Sequence, residues 1–140
     1  MVNFLIVTHG EFGAYLVEAA ESIAGQQAKG LRVISISSRL SVPEIRERIA
    51  KAVKDLRGPD GLILLTDMPG GTPSNIAFPL IKDESKVEMI SGVNLNMLVC
   101  AFSHREDMTL EQLVEKLMTD GQRAVRDIRK MFVTGAAKAR

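Results

Sequence analysis

The stretch LILLTDMPGGTPSN, residues 62–75, reads as a strand running into a carboxylate and then into a turn that opens a helix. Its first four residues are continuously apolar, the pattern of a strand covered on both faces in a parallel sheet with helices on each side. Asp67 follows at the carboxyl end of that strand. Gly70 and Gly71 let a ligand approach the backbone closely, Pro73 suits a first helical turn, and either Thr72 or Ser74 could cap it. Amides exposed at such a helix start favour an anion. In open α/β sheets ligands bind beyond the carboxyl ends of strands, where the strand order reverses, so Asp67 needs a neighbouring strand end to work with. His9 is the candidate: it closes the apolar run Phe4-Leu5-Ile6-Val7-Thr8 and is followed at once by Gly10 and a helical pattern.

Outward from this stretch, strands and helices alternate. Residues 11–24 carry Tyr15, Leu16, Ala19, Ala20 and Ile23 at helical spacing, and Gly25 is placed to end that helix. A second strand is expected over 31–36. Ser41-Val42-Pro43-Glu44 has capping-box spacing and opens a helix with Ile45, Ile49, Val53 and Leu56 inside. The helix after Asp67 is expected over 73–81, and 86–91 reads as a shorter, more polar strand suited to a sheet edge. Gly92-Val93-Asn94 turns into a helical segment containing Leu95, Leu98, Val99 and Phe102. Thr109 to Gln112 again has capping-box spacing, with Leu110, Leu113, Val114 and Leu117 on one face and a bend expected near Gly121. The charged mixture over 116–129 reads as a solvated helix face. Residues 131–140 show no clear pattern and either fray or pair as an added strand.

This alternation predicts a three-layer α/β/α domain around a mostly parallel sheet. With the first strand central and the second and third flanking it, the order is 2-1-3-4. The switch point then lies between the first and third strands, which places His9 and Asp67 side by side.

The 140 residues suit one domain with a single sizeable core, and they contain no linker-like segment or repeat. Eighteen basic and seventeen acidic side chains give a formal charge of +1, which argues against a nucleic-acid groove or an anionic membrane surface. One cysteine, Cys100, excludes a disulfide framework and a cysteine-rich metal site, and it reads as a small core residue. Residues 1–7 are too short and uncharged for a signal peptide, and no apolar stretch approaches a membrane span, so a cytoplasmic protein is expected.

A histidine beside a carboxylate is held in one tautomer: the carboxylate accepts the proton of one ring nitrogen and leaves the other lone pair outward as a nucleophile. With the amides of residues 70–74 and the start of the first helix nearby, such a site stabilises a phosphoryl group on that nitrogen. The bland reading makes His9 a hydrogen-bonded strand-end residue and Asp67 a turn residue.

Thr8-His9-Gly10, then Asp67 with Gly70-Gly71-Thr72-Pro73-Ser74-Asn75, then Gly92-Val93-Asn94 with Met97-Leu98, resemble the IIA component of the mannose-family sugar phosphotransferase system (PTS). The resemblance runs from the first strand to the final helix, implying a IIA domain over 1–130 and a tail over 131–140. It implies that His9 is phosphorylated by the phosphocarrier protein HPr and passes the group to a IIB protein, with Asp67 as its orienting partner. Gly10, Gly70, Gly71, Thr72 and Ser74 would hold the phosphoryl group. No cofactor and no metal are called for, and the membrane is reached only indirectly, through a PTS permease. Members resembling this chain are homodimers whose 2-1-3-4 sheet gains an antiparallel strand exchanged between subunits. Met68-Pro69 stands where many members have a bulky aromatic or hydrophobic residue, which alters the rim that partners meet. That rim is expected to comprise Glu11, Phe12, Met68, Pro69, Thr72 and Ser74, with the alternative that Phe12 faces the core.

Other readings fare worse. A histidine phosphatase needs an arginine before its histidine, where this chain has Thr8. Gly70-Gly71 lacks the lysine of a P-loop, and residues 10–13 do not complete a dinucleotide fingerprint. His104, beside Arg105, Glu106 and Asp107, reads as an exposed helix-end residue. The alternative of a different class is a regulatory module, in which the same phosphohistidine is read out by a partner protein.

Overall fold

The structure is a computed structural model and describes residues 1–134. Ten elements follow one another: β1 (Asn3–His9), α1 (Phe12–Ala24), β2 (Leu31–Ile36), α2 (Val42–Leu56), β3 (Leu62–Thr66), α3 (Thr72–Ile81), β4 (Val87–Ser91), α4 (Leu95–His104), α5 (Leu110–Gln122) and α6 (Ile128–Val133). The four strands form one parallel sheet in the order β2-β1-β3-β4, as expected from the alternation.

Strand alternation divides the core between the two faces of the sheet. Phe4, Ile6, Ile63 and Leu65 pack under α1, α4 and α5, while Leu5, Val7, Leu62 and Leu64 pack under α2 and α3. All of β3 is buried, which is why its sequence is apolar without a break. β4 lies at the edge and keeps Glu88 exposed.

Both expected capping boxes form. Ser41 and Glu44 close the start of α2, and Thr109 and Gln112 that of α5, each satisfying two amides that the first turn leaves free. The inner face of α1 is a correction. Gly13, Val17 and Ala20 are its buried residues, whereas Tyr15 and Ile23 are exposed. Gly13 turns inward because its amide donates to Thr8 Oγ1 at 2.8 Å. A Cβ added there would lie only 2.9 Å from the same oxygen, so the helix start sits tight against the strand end.

Toward the C-terminus, α5 stops at Gln122, just past Gly121, and α6 follows as a separate helix. Residues 131–133 are therefore helical, where no pattern was expected. The alternative of an added strand over 131–140 falls, beyond Thr134, outside the described residues.

A further feature had no sequence signal. Arg105 is buried and ties the amino-terminal pole of the sheet together: it donates to the carbonyls of Val2 (3.0 Å) and Gly30 (2.7 Å) and to Gln27 Oε1 (3.1 Å). Its guanidinium lies over the Phe4 ring, 5.3 Å from the centroid.

Candidate active site

His9 is the last residue of β1, and Asp67 comes one residue after β3. The register pairs Val7 with Thr66, so the two side chains emerge together where β1 separates β2 from β3. This is the switch point of the sheet. Asp67 Oδ2 accepts twice from the same residue, from the His9 amide at 2.9 Å and from ring Nδ1 at 2.7 Å. A proton on Nδ1 leaves Nε2 as the ring nitrogen with a free lone pair.

The two groups meet in different surroundings. The His9 side chain is 49% exposed and that of Asp67 13%. Burial raises the Asp67 carboxyl, but hydrogen bonds from the His9 amide and ring, together with the ring's charge, outweigh it and hold the carboxyl below its ordinary value of 3.8. Asp67 therefore stays ionised as an acceptor for Nδ1–H throughout the neutral range.

The turn after Asp67 is shaped by its glycines. Gly70 has φ +72°, a left-handed conformation that residues with a Cβ seldom adopt. Gly71 gives room to the ring: a Cβ there would lie 3.3 Å from His9 Cε1 and 3.2 Å from Met68 Cγ. Asn75 Nδ2 donates to the Gly70 carbonyl at 3.0 Å, so the turn is tied back to α3. The first helical bond of α3 runs from the Asn75 amide to the Gly71 carbonyl. The amides of Thr72 and Ser74 precede that bond and belong to the helix's positive end, while Pro73 has none to leave unpaired.

Two expectations about this turn are corrected. Neither Thr72 nor Ser74 caps α3, since Gly71 is the N-cap and no side chain bonds there. Ser74 is also not on the rim: it is 8% exposed, and its hydroxyl lies 2.8 Å from Thr66 Oγ1 and donates to the Met68 carbonyl at 3.0 Å. A helix start normally presents a hydroxyl to its own amides; here the buried Thr66 hydroxyl and the Met68 carbonyl draw it inward instead. The remaining rim residues Glu11, Phe12, Met68, Pro69 and Thr72 are exposed, as is Gly10. Phe12, at 48%, points away from the core, as Met68 does at 51%. Tyr15, one turn along α1 from Phe12, adds exposed aromatic surface.

A half-exposed ring in an open rim offers a small molecule no enclosure, but a second protein can cover it. A cavity of about 760 Å³ lies elsewhere, between α1, α4 and the end of α5. It reaches Cys100, whose thiol is pushed up to about 12 by burial and by its hydrogen bond to Asp120, which suits a core residue. Among the described residues no group of three or more metal-ligating side chains gathers, and no helix is long and apolar enough to cross a membrane.

Comparison with known proteins gives a consistent result. The EIIA-man family model, described as PTS system fructose IIA component, matches residues 3–118. The PTS system fructose-specific EIIA component of Bacillus subtilis (strain 168) is 29% identical over 124 residues, covering 89% of this chain and 84% of its own length. The PTS system mannose-specific EIIAB component of Escherichia coli (strain K12) is 28% identical across 99% of this chain, which spans 43% of that longer protein. Among solved structures, phosphotransferase system component EIIA from Streptococcus agalactiae superposes with a TM-score of 0.83 at 28% identity, over 93% of this chain and 99% of that one. Fold, switch-point site and matched length converge: the chain belongs to the EIIA-man family and is a mannose-family IIA component of the sugar phosphotransferase system.

Proposed function

We propose that this protein is a phosphoryl carrier in which His9 accepts a phosphoryl group from phospho-HPr and passes it to a IIB component. The observation that carries this reading is the 2.7 Å contact between His9 Nδ1 and Asp67 Oδ2. It keeps the ring proton on Nδ1 and turns the Nε2 lone pair outward. As the Nε2–P bond forms, the bond between phosphorus and the donor's histidine nitrogen breaks, and its electron pair returns to the donor ring. The positive charge gained by the His9 ring is balanced by Asp67. The phosphoryl oxygens are received by the turn around Gly10, Gly70 and Gly71 and by the amides of Thr72 and Ser74 at the start of α3. Because Ser74 turns its hydroxyl inward, its contribution is through the backbone.

Transport is favoured over a purely regulatory role because relatives of this chain are fructose-, mannose- and sorbose-specific components. The carrier works in the cytoplasm and meets the membrane only through a PTS permease. It acts as a homodimer: β4 leaves a sheet edge, and Val125, Ile128, Phe132 and Val133 are exposed apolar residues that a second copy would cover. Incubation with labelled phospho-HPr, followed by mapping of the modified residue, tests the assignment. Label is expected on His9 alone and should move to a purified IIB protein on mixing. Label on His104, or label surviving in His9→Ala, overturns it, and label that stays on His9 while altering partner binding selects the regulatory reading.

A further inference from the structure

We propose that Thr66 and Ser74 are positioning residues for Asp67, forming a buried hydrogen-bonded brace that aims the carboxylate at His9. The inference rests on the reading of His9 as the phosphoryl acceptor, but its geometry is independent of it. Thr66 is fully buried, and its hydroxyl lies 2.8 Å from that of Ser74. Ser74 has a single hydroxyl proton, and its oxygen donates to the Met68 carbonyl at 3.0 Å. Thr66 must therefore be the donor of the 2.8 Å bond. The chain of bonds leaves the backbone just before Asp67, crosses to α3, and returns just after Asp67. On the far side the Thr66 carbonyl accepts from the Val93 amide at 3.0 Å, so residue 66 is held through both its side chain and its backbone.

Asp67 needs this support because, apart from His9 itself, no group holds its carboxylate. Oδ1 is buried without a hydrogen-bond partner among the described residues, and Oδ2 bonds only to His9. Its aim is therefore set by the backbone over residues 66–68. Without the brace the turn relaxes, Oδ2 drifts from Nδ1, and the ring loses its bias toward the Nδ1–H tautomer.

Two readouts test this. The first is the rate at which His9 takes phosphate from phospho-HPr. The second is the ring-nitrogen NMR spectrum of unphosphorylated protein, which reports the tautomer directly. Ser74→Ala is expected to slow transfer about tenfold and to shift the ring toward Nε2–H. Thr66→Val keeps the shape and leaves Ser74 still bonded to Met68, so the loss should be smaller, about threefold, with Thr66→Ser restoring the rate. A wild-type spectrum in Ser74→Ala overturns the proposal, whether or not its rate falls, because a slower rate alone would mean a changed partner surface. Should Ser74→Ala fail to fold, the Thr66→Val and Thr66→Ser spectra decide in the same way. If wild-type protein takes no phosphate yet Ser74→Ala still shifts the tautomer, the brace stands and the carrier reading falls.

Discussion

At the scale of single residues, two oxygen contacts organise the site, since Asp67 Oδ2 takes both the backbone amide and the ring nitrogen of His9. Asp67→Ala keeps the nucleophile but removes the acceptor that holds its tautomer. Circular dichroism should show the wild-type fold, while transfer from phospho-HPr slows about a hundredfold or more. The same carboxylate links stability to pH. Its folded pKa lies below the ordinary 3.8, so it contributes stability that is complete above 3.8 and is lost as pH falls through the lower folded value. Wild-type protein should therefore lose more stability than Asp67→Asn when unfolding by urea is compared at pH 5 and at pH 2. Equal losses would mean that Asp67 is not held in its ionised form by His9. The pairing of His9 with Asp67 was legible because each residue ends an apolar run. The inward turn of Ser74 was not, because it depends on Thr66, a residue that reads as one more strand position.

At the scale of elements, local signals served well wherever backbone groups near in sequence satisfy one another. Ser41 with Glu44 and Thr109 with Gln112 form their boxes because every partner lies within one turn. The helix α1 shows the opposite case: Tyr15 and Ile23 have the right spacing for a buried stripe, yet the bond from the Gly13 amide to Thr8 fixes the helix's rotation and sends them to the surface. Arg105 is the clearest miss. Its neighbours His104, Glu106 and Asp107 suggest solvent, but its guanidinium donates to the carbonyls of Val2, just before β1, and of Gly30, just before β2, far away along the chain. Arg105→Met should destabilise the protein by about 3 kcal/mol, since it removes three hydrogen bonds that a buried guanidinium makes to distant parts of the chain. Urea unfolding should show an earlier midpoint with an unchanged slope, and phosphate uptake by folded protein should be preserved because the site lies at the other pole.

At the scale of the whole molecule, two surfaces expose apolar side chains. One is the C-terminal side, where Phe132 is 70% exposed on a six-residue helix with no buried residue. Light scattering at micromolar concentration should give the mass of a dimer, and Phe132→Asp should shift it toward monomer without abolishing label on His9. The other is the rim of His9, where Phe12 and Met68 form an apolar patch beside the ring on a chain of formal charge +1. On the proposed carrier reading, donor and recipient would both bury the same nitrogen and so share this patch, and apolar contact should outweigh charge steering. Phe12→Ala and Met68→Ala should each slow transfer about tenfold, with little dependence on salt. Normal transfer by both variants, combined with collapse at high salt, would place recognition on charged residues instead. The order of the sheet and the meeting of His9 with Asp67 were determined by the sequence itself, because apolar runs, caps and short turns leave few ways to wind alternating strands and helices. The rotation of α1, the burial of Arg105 and the brace between Thr66 and Ser74 were decided only by the tertiary structure. In each, the partner of a polar group comes from another element, and no local pattern records which carbonyl or hydroxyl the folded chain will bring within reach.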